Sequence, residues 1–468
     1  MPGRKVMPRP THRLLIALQV FWMLGVAALS NAGCTPAQRR LHSADAAGRT
    51  GPAAAAKWTV MVYLNGDNNL EPYAISDFLE MAAIGSTDKV HIAVQFDRSG
   101  KYDQKAAKWS QTLRFHIDRG SRAIPAEALV DIGEANMGDG ATLQQFVEWA
   151  REKFPAQHYM LIIWDHGQGW RDTLPAGAPS AGRPRLASAG RAASQDESSN
   201  DQLYNSEMAT ALKAALQGQR IDILGFDACL MAMVETGYAF REVADFMVGS
   251  EELEPAEGWP YERWLKVLTK HPELGAEALT GEIISAYRSH YNEPVNLDPD
   301  TTLSSVRLRA LEQAADAVDA LALALRKHLP TESALIRAAR TAAKVYAPNA
   351  YGDGLDYFHH IDFIKFCEEL VARTSRALSA APKELHLRAE AARTAMRAAV
   401  AHNYAGPRRQ GGFGSNGLSI YFPASGALHQ RDRFADKGYD KDNLKNPVEF
   451  VQKNSWPDFL SAYFQMFP

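Results

Sequence analysis

At 468 residues, with 46% hydrophobic and 22% charged positions, the chain has the composition of a globular protein of roughly two or three structural units, not of a disordered or fibrous one. Its 51 Lys and Arg against 54 Asp and Glu leave a formal charge of -3, which excludes the electropositive surface that a phosphate backbone demands, so no nucleic-acid partner is expected. Three cysteines, Cys34, Cys229 and Cys367, are too few for a fold held together by disulfides.

The chain opens with Arg4, Lys5, Arg9 and Arg13, then an uncharged run from Leu14 to Ser30, then Asn31-Ala32-Gly33-Cys34. Basic, then apolar, then small is the order of an export signal over residues 1–34. A membrane anchor is the alternative, but a spanning helix needs about 20 apolar residues and this run is shorter and ends in small ones. The Ala-Gly-Cys ending resembles a bacterial lipobox, in which Cys34 would carry lipid and tether the mature chain to a membrane. Asn31 departs from the Leu, Val or Ile usual there, and the other reading is a secreted protein in which Cys34 is incidental. Residues 35–57 are rich in Ala, Gly, Pro and Arg without apolar periodicity, the composition of a flexible tether.

Folded sequence is expected from Trp58, over a core spanning 58–260. WTVMVYLN is a β-rich run closed by the turn Gly66–Asn69, followed by a helix from Leu70 to Ile84 and a buried strand, Val90–Asp97. Thr112–Asp118 reads as a strand, Leu143–Phe154 as a helix, and His158–Gly167 as a strand with a continuously apolar centre. Residues 173–200 are polar and Arg-bearing, and long for a connection in an α/β unit. Leu203–Leu216 then reads as helix and Arg220–Cys229 as strand. Apolar strands alternating with helices predict an α/β fold with a mostly parallel central sheet covered by helices. Beyond Met247, VGSEEL is a short strand. Trp264–Tyr291, Ala310–Leu329, Phe358–Ser375 and Glu384–His402 are helix-like, giving a largely helical C-terminal part, 261–468, that returns a strand at 417–423.

His166 and Cys229 each follow an apolar strand, so both should project from carboxyl ends of neighbouring parallel strands, where such sheets hold their chemistry. A thiol beside an imidazole is a nucleophile–base pair, because only the thiolate attacks well. A lone buried cysteine, by contrast, is usually an inert small hydrophobe.

Trp164–Gly167 (W-D-H-G), Phe226–Cys229 (F-D-A-C), Tyr63–Glu71 (YLNGDNNLE), Gly249–Tyr261 (GSEELEPAEGWPY) and Gly417–Pro423 (GLSIYFP) strongly resemble, in order, segments of the clostripain family of cysteine peptidases. The resemblance spans Trp58 to the C-terminus and implies a caspase-like fold. It also implies a cysteine endopeptidase cleaving protein or peptide substrates after Arg or Lys, with Cys229 as nucleophile, His166 as general base, and the N–H groups of Gly167 and Cys229 as oxyanion donors. By the same likeness Asp227 and Glu257 would line the pocket for the basic side chain; Glu257 stands where relatives carry Asp. Relatives mature by cutting their own linker, which makes Arg183, Arg185 and Arg191 candidate self-cleavage sites, with a tolerated insertion as the other reading. Some relatives use calcium; no other cofactor is implied. The alternative function is an inactive caspase-fold binding protein at the cell surface. The sequence assigns no oligomeric state.

Other motifs carry less. Gly412–Gly417 fits G-x-G-x-x-G but leads into a strand, so the helix N-terminus that would cradle phosphate is missing. His359-His360 falls in the expected helix from Phe358, where neighbours face different directions and cannot share a metal. Neither Asp67-Asn68-Asn69 nor Asp436–Asp442 spells an EF-hand loop.

Overall fold

A computed structural model describes residues 55–103, 108–170, 193–347, 359–375, 380–411, 413–431, 439–442 and 448–468. The export signal with Cys34, the tether up to residue 54, and Arg183, Arg185 and Arg191 lie outside them.

Nine strands form the central sheet. β1 (Ala56–Gly66), β2 (Val90–Arg98), β5 (Ala156–Trp164), β8 (Ile221–Asp227) and β9 (Ala244–Gly249) are its parallel centre, in the order β9-β8-β5-β1-β2. Antiparallel strands close both edges: β3 (Leu113–His116) and β4 (Val130–Asp131) beyond β2, and β10 (Thr302–Arg307) and β12 (Val400–Ala405) beyond β9. The chain leaves β1 toward β2 and returns on the opposite side as β5. The carboxyl ends of β1 and β5 therefore flank the switch point, the natural crevice of an open α/β sheet.

The central strands are buried on both faces, which is why they read as apolar runs without polar alternation. Along β1, Val60, Val62 and Leu64 face a core formed with α1 (Glu71–Ile84), α5 (Tyr261–Lys270) and α6 (Ala276–Tyr291). Met61 and Tyr63 face the other core, built with α2 (Gly140–Lys153), α3 (Asn205–Leu216), α4 (Val234–Phe240), α7 (Leu311–Ala342), α8 (Phe363–Thr374) and α9 (Ala380–Ala399).

Several expectations shift. Residues 55–468 form one compact unit, and the part beyond position 261 adds β10 and β12 to the central sheet. The expected helix over 264–291 is two helices, interrupted around Pro272, whose ring cannot continue a helix. The stretch to His402 ends as α9 and turns into β12, where the β-branched Val400 suits an edge strand. His359 and His360 do not open a helix: His360 begins the short strand β11 (His360–Asp362), which pairs antiparallel with β13 (Ser419–Tyr421) in a separate two-stranded sheet. The end of the 173–200 stretch is ordered too, as the hairpin β6 (Ala193–Asp196) and β7 (Asp201–Leu203).

Candidate active site

β5 and β8 lie side by side with Trp164 paired to Asp227. His166 and Cys229 each come two residues after those partners, so both leave the sheet from adjacent strand ends. The main chain closes the gap. A Cβ added to Gly167 would stand 2.4 Å from the Cys229 carbonyl oxygen and 3.1 Å from its nitrogen, an approach only glycine allows. Gly167 also bridges to Ala193, the first residue of β6.

The turn after β1 orients the histidine. His166 Nε2 lies 3.0 Å from Asn69 Oδ1. An amide oxygen only accepts, so in this contact Nε2 is the donor. Asp165 holds the same loop from below. Its Oδ1 accepts from the His166 N–H at 2.5 Å and from Asn68 Nδ2 at 2.8 Å, and its Oδ2 accepts from the Gln195 N–H. Sequence reasoning gives neither Asn69 nor Asp165 a part in the site, although both lie inside the quoted motifs.

Cys229 is half-buried, and its Sγ accepts the Glu254 N–H at 3.3 Å. Burial pushes the thiol up to about 12, the nearby carboxyls of Glu254, Glu252 and Asp227 adding to the rise against the Glu254 N–H. Both described cysteines are free, and Cys367 is buried on α8.

β8 ends at Asp227 and the chain turns at once, with Leu230 at φ 65°, so Cys229 lies beyond the strand that holds Asp227. What connects the two is Glu254, whose N–H meets the sulfur and whose carboxyl stands beside that of Asp227. Asp227 is buried, and its Oδ2 accepts from the Trp259 N–H at 3.2 Å and from the Tyr261 hydroxyl at 2.9 Å. Gly258, at φ 58°, lies directly over it: a Cβ there would sit 2.7 Å from Asp227 Oδ1. Asp77 of α1, bonded by the Trp164 indole N–H at 2.6 Å, adds a third buried carboxyl.

No lysine or arginine pairs with Asp77, Asp227 or Glu254 among the described residues; the buried Glu254 carboxyl meets that of Asp227 instead. Burial above all pushes Asp227 up to about 6 and raises Asp77 and Glu254 well beyond the ordinary carboxyl range. Glu257, expected to share the pocket, stands exposed on the turn above. The buried acid beside Asp227 is Glu254, three residues earlier in the same motif.

A parallel-centred α/β sheet that presents a cysteine and a histidine from neighbouring strand ends has the architecture of the caspase-like cysteine peptidases. The clostripain family model matches residues 62–463. The chain belongs to the clostripain family and is a cysteine-type peptidase. Clostripain of Hathewaya histolytica is 26% identical over 412 residues, covering 78% of this chain and 74% of that protein. A secreted cysteine protease from Bacteroides thetaiotaomicron, solved with an irreversible peptide inhibitor, shares the fold with a TM-score of 0.54 at 20% identity, over 87% of this chain and 99% of its own. An inactive zymogen protease from Parabacteroides distasonis gives 0.52 at 20% identity, over 87% and 99%.

Proposed function

We propose that Cys229 is the nucleophile and His166 its general base, in an exported endopeptidase that cuts after arginine or lysine. The observation that supports the specificity is the buried group Asp77, Asp227 and Glu254, which reaches the sulfur through the Glu254 N–H and pairs with no lysine or arginine among the described residues. Buried carboxyls are costly unless paired, and a guanidinium or ammonium entering past the Glu254–Gly258 turn supplies the pair.

His166 Nδ1 takes the thiol proton as the sulfur attacks the scissile carbonyl carbon. Negative charge collects on the carbonyl oxygen, which the N–H groups of Gly167 and Cys229 stabilise. The imidazolium then protonates the departing amine, leaving a thioester on Cys229. Water, deprotonated by the same imidazole, releases the acid and restores the thiol. Asn69 keeps Nε2 protonated throughout and so leaves Nδ1 to the chemistry.

Hydrolysis of a fluorogenic peptide ending in arginine tests the dyad. Cys229→Ala and His166→Ala should each lower kcat/KM by on the order of 10⁴-fold or more; full activity in both variants would sink the assignment. Self-cleavage at Arg183, Arg185 or Arg191 belongs to the same proposal, and two fragments on a denaturing gel should vanish in Cys229→Ala. For export, the support is the basic-apolar-small order of residues 1–34; among the described residues no helix is long and apolar enough to cross a membrane. The mass of the mature N-terminus distinguishes a lipid-bearing Cys34 from a simple cut.

A further inference from the structure

A second acidic cluster lies on the other side of the switch point, apart from the sulfur. Asp67 follows β1, Asp97 lies near the end of β2, and Asp196 ends β6. All three are buried, and each offers an oxygen within 4.8 Å of the others. Asp97 Oδ1 accepts the Arg98 N–H and the Thr112 hydroxyl, each at 3.0 Å. Asp67 Oδ2 accepts the Ser198 N–H at 2.7 Å. Asp196 accepts the Ser199 N–H at 2.6 Å and the Met137 N–H at 2.8 Å. The remaining oxygens, Asp67 Oδ1 and Asp97 Oδ2, are buried and meet no partner. None of the three acids takes part in an ion pair among the described residues.

Main-chain N–H groups thus hold the outer oxygens, leaving two orphaned ones in a cluster with no cation. That is the donor set of a hard-cation site: oxygen only, several formal negative charges, and no cysteine or histidine to favour zinc. We propose that Asp67, Asp97 and Asp196 bind a divalent cation of the calcium class, with the exposed Glu134, whose field reaches Asp97, at the mouth. The family resemblance names calcium but assigns it no ligands; these three are assigned by their orphaned oxygens and mutual distance. The proposal stands or falls independently of the cleavage mechanism.

Occupancy would have a structural consequence. Asp196 belongs to the hairpin that follows residues 171–192, and that hairpin is fastened to the end of β1. Asn65 Nδ2 donates to Ser194 Oγ at 3.0 Å, Asn68 Nδ2 to the Gln195 carbonyl at 3.0 Å, and the Glu197 N–H to the Asp67 carbonyl at 2.9 Å. Asp67 is also two residues from Asn69, which orients His166. One ion would therefore lock the hairpin and the histidine's support together.

The test uses the full chain carrying Cys229→Ala, stripped with EDTA. Tb3+ is titrated in and read by emission sensitised through tyrosine, since Tyr63 is buried close enough to feel the charges of Asp97 and Asp196. Bound Tb3+ should be displaced by Ca2+ at concentrations at least tenfold below those needed with Mg2+. Ca2+ at about 100 times its Kd should raise Tm by on the order of 3 °C. Asp97→Asn should weaken Tb3+ and Ca2+ binding at least tenfold while melting no lower than the parent in EDTA, because it removes an unpartnered buried charge. If that variant does not fold, Asp196→Asn and Glu134→Gln take its place, with the same loss and a smaller one. No emission and no Tm shift in the parent, or unchanged affinity in every folded variant, would overturn the site.

Discussion

Two groups of buried acids sit at the carboxyl edge of one sheet, and they are finished differently. Around Asp227 the partners are a tyrosine hydroxyl, the Trp259 main chain and the carboxyl of Glu254, under an aromatic wall of Trp259, Tyr261 and Tyr291. Around Asp67 and Asp97 most partners are main-chain N–H groups from the neighbouring turn and hairpin. A wall of rings makes a slot for a long side chain that keeps its alkyl stem dry. A collar of peptide groups makes a compact nest for a small ion. The same electrostatic deficit therefore suits two different ligands, and the surroundings decide which.

Four measurements would break that comparison or sharpen it. The largest effect is expected at Asp227→Asn, which removes the charge facing the substrate cation and should cut kcat/KM for arginine peptides by ~10²–10³-fold; an equal loss for uncharged substrates would mean that Asp227 is only structural. Next comes Asn69→Ala, which frees the imidazole and should lower kcat by roughly 30-fold with KM little changed. Asn69→Asp should restore much of the rate and move the acid limb of the pH profile upward, since a carboxylate stabilises the imidazolium; a purely structural role would leave that limb in place.

The third is pH. Asp227 is raised from 3.8 to about 6 by burial, with Asp77, Glu80 and Glu254 nearby and Glu257 at the rim. Cation recognition needs the ionised form, so kcat/KM for arginine peptides should fall up to about tenfold per unit as pH drops below 6. Stability runs the other way: between 3.8 and about 6 the folded chain binds more protons than the unfolded one, so this group makes folding less favourable as pH rises through that window. A small guanidinium ligand such as agmatine should therefore raise Tm more at pH 7.5 than at pH 5, whereas Ca2+ should protect even when Asp227 is replaced. Glu257→Gln comes last, with a change below about threefold expected for an exposed charge.

The sheet and the two strand ends that carry His166 and Cys229 were legible because the inner parts of β5 and β8 are buried and so write largely apolar runs. His166, Gly167 and Cys229 follow those runs directly. Edge strands leave weaker traces: β10 and β12 have polar, short or half-buried sequences, and β12 continues the apolar pattern of α9 without a break. The acids were harder still. Glu254 and Glu257 share one turn, and nothing in their spacing says that the first is turned inward and the second toward solvent. Asp67, Asp97 and Asp196 come from three separate elements, so no local pattern such as an EF-hand loop can reveal them; only the register of β1 with β2 and the hairpin's return bring them together.

The sheet's order also sets a timetable. Strands β1, β2, β5 and β8, with His166 and Cys229, have left the ribosome by about the midpoint of the chain, but β9 keeps an open edge until β10 covers it, and β10 keeps one until β12 at Val400–Ala405 does. An uncovered strand edge favours wrong pairing over orderly closure. A nascent chain thus holds Cys229 in an unfinished sheet until Val400 is reached. Completion of the sheet around the site is thereby deferred until the C-terminal strands arrive.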